Sequence, residues 1–263
     1  MRTEQPKVIH LKDYQVPDYL IDETHLTFEL YEDRTLVHAQ LVMRRNPEAG
    51  AGLPPLQLHG QDLELISLAL NDRQLGLGDY EVAEESLTLQ PDCASFTLDS
   101  TVVIHPESNT ALEGLYKSGS MFCTQCEAEG FRKITYYLDR PDVMSKFTTT
   151  VSAEKHAYPI LLSNGNPIAS GEEDDGRHWT TWEDPFKKPE YLFALVAGDL
   201  WCVEDSFTTM SGRDVALRIY VEPENIDKCQ HAMDSLKKSM TWDEEAYGRE
   251  YDLDIFMIVA VND

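Results

Sequence analysis

The densest group of side chains able to do chemistry lies in one segment that starts at Cys123, CTQCEAEGFRKITYYLDRPD. Cys123 and Cys126 form a C-x-x-C pair, a spacing that zinc sites and thioredoxin-like redox centres use. Gln125, Glu127 and Glu129 add one amide and two carboxylates at alternating positions. The segment therefore offers two kinds of site, a thiol site for a metal or a redox reaction and a polar site for a cation.

The thiol site lacks the partners it would need. A structural zinc site requires four ligands, and none of the eight histidines pair at three- or four-residue spacing. A thioredoxin-like motif opens a helix, and no helical pattern follows Cys126. We therefore expect the five cysteines to be reduced thiols, with Cys123 and Cys126 acting as packing residues. No metal ligand set and no catalytic group is expected in this chain.

The polar site depends on the backbone. If the segment is extended, alternate side chains share a face, so Gln125, Glu127 and Glu129 would form a row that could bind a cation. The alternative is that the glutamates form ion pairs with the basic residues that follow them, which are Arg132, Lys133 and Arg140. Spacing alone does not separate these two interpretations, because structural ion-pair networks produce the same clusters.

Composition excludes several classes of function. The formal charge of −25 repels phosphate, so we expect no nucleic-acid partner. The longest apolar runs, YLFALVA and IFMIVAV, are too short to cross a bilayer, so we expect no membrane partner. The first residues show no apolar segment typical of a signal peptide, and we expect a cytoplasmic protein. There is no H-E-x-x-H, G-x-S-x-G or phosphate-binding loop.

The elements that must position these residues are mostly strands. Between residues 20 and 110 apolar side chains recur at every second position, with turn residues between the runs. The alternation changes phase between Leu65 and Leu68, which predicts a bulge or a turn. Asn164-Gly165, between two apolar runs, predicts a hairpin. The fold class is therefore predicted to be mainly β, with an N-terminal sandwich or saddle-like sheet domain over residues 1–199.

Residues 200–263 are predicted to form the beginning of a second, α+β domain. Ser211-Gly212 predicts a hairpin, and a helix follows in which Asn225 caps the start and Gly248 ends the run. LDIFMIVAV predicts a buried strand after the helix. Because a domain seldom finishes on such a strand, we expect this part to be the truncated start of a larger domain.

Long collinear stretches carry a resemblance to a known family. NTALEGLYKSGSMFCTQCEAEGFRKITYYLDRPDVMSKFTTTV, LLSNGNPI, YLFALVAGDL, SLKKSMTWDEEAYGREYDLD and MIVAVND closely resemble bacterial aminopeptidase N, a family of zinc aminopeptidases of the gluzincin type. The resemblance extends from about Asp13 onward. It implies a β-rich N-terminal domain followed by a thermolysin-like catalytic domain, which in this chain stops before the G-A-M-E-N and H-E-x-x-H motifs.

The resemblance also implies roles for individual residues. The family motif T-Q-x-E-A aligns with Thr124–Ala128, which makes Glu127 the carboxylate that receives the substrate's α-ammonium group. Gln125 would line the pocket for the first side chain. Zinc would belong to the full-length enzyme, whose substrates are peptides with a free amino terminus and whose remaining catalytic and C-terminal domains would be this chain's partners. The alternative function is a stand-alone β-domain that binds a partner and catalyses nothing.

Overall fold

The computed structural model describes residues 10–261, so residues 1–9 of the predicted first domain and residues 262–263 of the predicted second lie outside it. In the described range the strands, numbered in chain order, are β1 (Tyr19–Leu30), β2 (Thr35–Arg45), β3 (Leu56–His59), β4 (Glu64–Leu70), β5 (Arg73–Gln74), β6 (Tyr80–Ala83), β7 (Ser86–Leu89), β8 (Ser95–Ile104), β9 (Gly114–Ser118), β10 (Met121–Gln125), β11 (Met144–Glu154), β12 (Ile160–Ser163), β13 (Asn166–Glu172), β14 (Arg177–Pro189), β15 (Leu195–Gly198), β16 (Trp201–Thr208), β17 (Asp214–Val221) and β18 (Ile255–Val259). The α-helix is α1 (Gln230–Tyr247), and the short 3-10 helices are Leu11–Asp13, Pro106–Ser108, Phe131–Lys133, Glu190–Leu192 and Pro223–Lys228. The prediction of a mainly β chain is confirmed.

The largest sheet has eight strands in the order β13-β14-β11-β1-β2-β8-β4-β5. Its neighbours are antiparallel except β1 and β11, which run parallel. Burial alternates along β1, β2 and β8, as expected when one face packs on a core and the other meets solvent. The β4–β8 register shifts between Leu65 and Ser67, so the predicted irregularity in that run is confirmed.

A four-stranded sheet, in the order β12-β15-β10-β9, carries the segment that starts at Cys123. The predicted hairpin at Asn164-Gly165 is wrong, because β12 pairs with β15 and β13 pairs with β14. Asn164 instead donates to the Leu192 carbonyl (3.0 Å) and accepts from the Ala194 amide (2.7 Å). The turn therefore moves the chain from one sheet to another.

Residues 201–259 form the predicted hairpin, helix and strand. β16 and β17 are antiparallel, and β18 returns parallel to β17 after α1. The helix ends as predicted, with Gly248 in the left-handed conformation at its C-cap. Its start differs, because Pro223–Lys228 form a 3-10 helix and α1 begins only at Gln230.

The main core lies between the large sheet and the sheet that contains β10. An aromatic group is packed edge-on around Phe131, whose ring centroid lies 4.8 Å from that of Tyr137 and 5.4 Å from that of Phe193. A separate apolar cluster joins α1 to β17, and a third, which includes Met121 and Ile255, lies between the two. The segment that carries the candidate site is thus anchored in the main core.

Candidate functional site

Gln125 is the last residue of β10, at the open end of the β9–β10 hairpin. β10 pairs with β9 along its whole length, with Gln125 opposite Gly114. On its other side β10 pairs with β15, and the Thr124 hydroxyl accepts a hydrogen bond from the Leu195 amide at 2.9 Å. The buried strand therefore fixes the position of Gln125, whose side chain is exposed.

The chain turns immediately after Cys126. Residues 127–130 form a turn, in which the Gly130 amide donates to the Cys126 carbonyl at 2.8 Å and the Glu127–Ala128 peptide bond is cis. Gln125 donates from Nε2 to the Glu127 carbonyl at 3.2 Å. The expectation of an extended segment through Glu129 is therefore wrong beyond Gln125.

Gly130 explains why the strand ends there. A Cβ at this position would lie 2.5 Å from the Gln125 carbonyl oxygen and 2.9 Å from the Gly114 amide nitrogen. Only glycine lets the returning backbone approach β9 and β10 so closely. Gly130 was the signal in the sequence that could have predicted the turn.

The two glutamates of the turn have different surroundings. Glu129 forms an ion pair with Arg132 at 3.5 Å, so the alternative of ion pairing with the basic residues that follow is confirmed for Glu129. Both Glu127 and Glu129 are exposed. Within residues 10–261 no side chain hydrogen-bonds to the carboxylate of Glu127 or forms an ion pair with it. That carboxylate is therefore available to a cation from outside the chain.

The neighbouring cations are held by other carboxylates. Arg132 Nε lies 2.6 Å from Oδ2 of the buried Asp139, so its guanidinium is held from the core side. The other two basic side chains form ion pairs with acids outside the turn, Lys133 with Asp62 (3.4 Å) and Glu113 (3.6 Å), and Arg140 with Asp142 (2.6 Å). In the described part of the chain none of these three basic side chains forms an ion pair with Glu127.

The thiols are buried on the core side of the same segment. Cys123 and Cys126 are free and almost fully buried. Burial raises the pKa of both thiols, and the carboxylates of Asp139 and Glu190 raise that of Cys126 further. Since the thiolate is the reactive and metal-binding form, neither thiol is suited to redox or metal chemistry at neutral pH.

Asp139 and Glu190 are two buried acids that sequence reasoning missed. They lie beside Cys126 and Tyr137 although they are far apart in the chain, so no local spacing could reveal them. Glu190 is 0% exposed and Asp139 is 4% exposed. A pair of acids inside the core is unusual, because burial of a carboxylate is costly unless a partner compensates it.

In the part of the chain that the structure describes, no group of three or more His, Cys, Asp or Glu side chains is placed to hold a metal ion. The residues present therefore do not fit a zinc site. None of the helices in residues 10–261 is long and apolar enough to cross a membrane.

Comparisons with known proteins bear on the family of the chain. The profile of the Peptidase M1 N-terminal domain matches residues 25–192. The chain is 53% identical over 263 residues to aminopeptidase N of Caulobacter vibrioides, covering 100% of this chain and 30% of that protein. It is 54% identical over 260 residues to aminopeptidase N of Escherichia coli K12, covering 99% of this chain and 29% of that protein. The chain thus spans about 30% of the length of these relatives.

Solved structures show the same architecture. Legionella pneumophila aminopeptidase A, in complex with aspartic acid, superposes with a TM-score of 0.91 at 36% identity over 95% of this chain and 30% of that one. An M1 zinc metallopeptidase from Deinococcus radiodurans superposes with a TM-score of 0.77 at 13% identity, covering 92% of this chain and 56% of that chain. The second likeness concerns the fold alone.

Proposed function

The chain belongs to the M1 peptidase family, whose N-terminal domain it contains, and we propose that it recognises the free amino terminus of a peptide within a zinc-dependent aminopeptidase. In this proposal the Glu127 carboxylate receives the α-ammonium group. The described residues provide no ligand set for zinc, so none of them is assigned a part in breaking the peptide bond.

The observation that carries the proposal is the contrast between the two glutamates of one turn. Glu129 forms an ion pair with Arg132, whereas the carboxylate of Glu127 has no ion-pair or hydrogen-bond partner among residues 10–261. A carboxylate without a partner is attractive to an ammonium group. An internal or N-acetylated peptide offers no such charge, and it would leave the carboxylate desolvated and unpaired. The contact would therefore select free amino termini.

Gln125 is proposed to act beside Glu127. Its Nε2 donates to the Glu127 carbonyl, which orients the turn, while no donor among the described residues hydrogen-bonds to its Oε1. This arrangement supports a place for Gln125 in the wall of the pocket for the first side chain. The two residues would then bind neighbouring groups of one substrate residue.

The strength of the contact depends on how far water is excluded. In this chain Glu127 is exposed, and an exposed ion pair contributes only about 0–1 kcal/mol. Truncating one member of an enclosed charge pair costs about 2–5 kcal/mol. We therefore propose that recognition is weak in the 263-residue chain alone and becomes strong only where further protein covers the turn in the full-length enzyme.

Domain division, partners and location complete the proposal. We place the boundary after Asp199, supported by the separate apolar cluster that α1 forms with β17. The partners would be the remaining catalytic and C-terminal domains together with peptide substrates. A cytoplasmic location is proposed because the five cysteines are free.

Charge-neutral variants test the proposal in the full-length protein. Glu127→Gln should lower kcat/KM for an aminoacyl arylamide by roughly 30- to 4,000-fold, the range that corresponds to 2–5 kcal/mol. Glu129→Gln, in the same turn, is the matched control and should cost far less. Fold and zinc content should be unchanged in both variants. Full activity of the Glu127 variant, or a larger loss at Glu129, would show that the ammonium group binds elsewhere.

A further inference from the structure

The carboxyl group of Glu190 lies beside that of Asp139 inside the core, and both residues are almost fully buried. Glu190 opens the 3-10 helix Glu190–Leu192, and its main-chain carbonyl accepts from the Phe193 amide at 2.9 Å. Asp139 follows Tyr137, which forms an isolated β-bridge with His59. The backbone at or next to each acid is therefore fixed by main-chain hydrogen bonds.

The hydrogen bonds of this pair are incomplete if both groups are ionised. Asp139 Oδ2 accepts from the main-chain amide of Arg132 at 3.2 Å and from its Nε at 2.6 Å. Asp139 Oδ1 and both carboxyl oxygens of Glu190 have no hydrogen-bond donor among the described residues. Two carboxylates cannot satisfy each other, because each only accepts. A proton on one of them lets that group donate to the other, which satisfies one oxygen of each carboxyl group.

The charges around the pair lead to the same conclusion. Among the described residues Arg132 is the cation that contacts the pair, through Asp139, and one guanidinium cannot neutralise two buried carboxylates. The other titratable groups that face the pair are Cys126, Tyr137, His59 and Asp142. The first two have pKa values raised by burial, and burial lowers that of His59, so all three favour their neutral forms. Asp142 adds negative charge, although Arg140 holds it at 2.6 Å.

We propose that Asp139 and Glu190 share one proton, with Glu190 as a carboxylic acid that donates to Asp139, and that this pair positions the Glu127 turn through Arg132. Asp139 holds Arg132 from the core, and the same guanidinium reaches Glu129 at 3.5 Å. The proton-sharing pair stands independently. Its effect on Glu127 rests on the proposed function.

The pair predicts a pH dependence with a definite sign. Burial and the neighbouring Asp139 raise the pKa of Glu190 from 4.5 to about 8. The folded chain therefore holds a proton that the unfolded chain has lost between these two values. The stabilisation is fully present below pH 4.5 and is lost as the pH rises through about 8.

Infrared spectroscopy of the 263-residue chain tests the shared proton directly. At pH 6 the chain should show the carbonyl stretch of a protonated carboxylic acid, and this band should vanish by pH 10. Glu190→Gln should lack the band because its amide replaces the proton as the donor. Asp139→Asn should lower the pH at which the band disappears, because the negative charge of Asp139 no longer raises the pKa of Glu190 although burial still does. Glu84→Gln, an exposed control, should keep the band.

Two outcomes would overturn the shared proton. One is a spectrum at pH 6 without the band. The other is a cation retained after dialysis whose removal by a chelator lowers the melting temperature, since a metal ion would then occupy the place of the proton. Thermal unfolding between pH 5 and 9 gives a second reading, because the wild-type midpoint should fall with pH more steeply than that of Glu190→Gln.

Kinetics of the full-length protein test the positioning role separately. The double variant Asp139→Asn/Glu190→Gln leaves Arg132 without a charged partner in the core. It should raise KM for free-amine substrates by roughly tenfold, the equivalent of one charge-assisted hydrogen bond, with kcat nearly unchanged. Glu190→Gln alone, which keeps the donor, should preserve KM. An unchanged KM in the double variant would refute positioning, whereas an inert Glu127→Gln variant would refute the proposed function instead.

Discussion

Gln125 donates a hydrogen bond from Nε2 to the main-chain carbonyl of Glu127 at 3.2 Å. The side chain of one candidate residue therefore holds the backbone of the other. This contact ties the turn to the end of β10, a strand that is paired on both sides. A substitution at Gln125 should consequently change the position of Glu127.

Gln125→Glu should weaken substrate binding in the full-length protein. The carboxylate keeps the length of the side chain, but it cannot donate to the Glu127 carbonyl, and it adds a negative charge beside it. A hydrogen bond of this kind contributes about 0.5–1.5 kcal/mol, so KM should rise by about 2- to 12-fold. Gln57→Glu, at an exposed position of β3, is the matched control and should leave KM unaltered. Equal KM values in the two variants would contradict this role of Gln125.

Gly130→Ala should destabilise the chain. The new Cβ would lie 2.5 Å from the Gln125 carbonyl oxygen, where only backbone movement can relieve the overlap. Overpacking of this kind costs about 1–3 kcal/mol. Gly78→Ala is the control, since nothing lies within 4 Å of a Cβ there. Urea unfolding of both variants measures the difference, and equal midpoints would show that the turn can move away.

Much of the strand pattern could be predicted from the sequence because it is local. The phase change near Leu65 marked a real bulge, and Gly248 ended α1 as expected. The Asn164-Gly165 prediction failed for a physical reason. Turn residues report a change of direction, but the partner of the next strand depends on contacts elsewhere. Here those contacts are the bonds of Asn164 to Leu192 and Ala194.

The candidate site was predictable only in part. Spacing placed Gln125, Glu127 and Glu129 together on one extended face, and the resemblance then singled out Gln125 and Glu127 as the candidate site residues. The structure replaces that face with a turn, since Gly130 packs against the backbone of β9. Glu190 could not be found from the sequence at all, because its chemistry comes from burial against a residue distant in the chain.

Lys188→Met should cost more stability than the same change at its neighbour Lys187. Lys188 is buried, pairs with Asp184 at 3.0 Å and lies 4.0 Å from the centre of the Phe147 ring. Removing it leaves the carboxylate of Asp184 without its partner, at a cost of about 3–5 kcal/mol. The exposed pair of Lys187 with Asp22 should contribute less than about 1 kcal/mol. Denaturant titration of both variants checks the order.

Lys188 should also make the free energy of unfolding depend on pH. Burial lowers the pKa of Lys188 from 10.5 to about 8, against the opposing effect of Asp184. Between these values the unfolded chain holds one more proton than the folded chain, so this contribution to the free energy of unfolding rises with pH. The difference between wild type and Lys188→Met should therefore grow from pH 8 to 10.5. A constant difference would indicate that the pKa of Lys188 is not lowered.

The five thiols should react at different rates in the native chain. Cys123 and Cys126 are buried with raised pKa values, so alkylation at pH 8 should be slow at both. Cys93 is partly exposed and should react first, and Cys202 should follow because it is partly exposed but burial raises its pKa. Peptide mapping by mass spectrometry after timed iodoacetamide treatment measures each site. Rapid labelling of Cys126, or a disulfide between Cys123 and Cys126, would contradict the assignment of these thiols to packing.

The contact between Glu127 and the substrate amine is tested most directly by a double cycle, in which the α-amino group of a ligand and the Glu127 side chain are removed separately and together. Inhibition constants are measured in the full-length protein for an amino-acid hydroxamate and for the same compound without its α-amino group. Wild type should prefer the amine by roughly 30- to 4,000-fold, and Glu127→Ala should lose most of that preference while binding the deaminated compound as before. Glu129→Ala, which removes only the contact with Arg132, should retain most of that preference. If Glu127→Ala discriminated between the two compounds as strongly as wild type, the ammonium group would be bound by another residue.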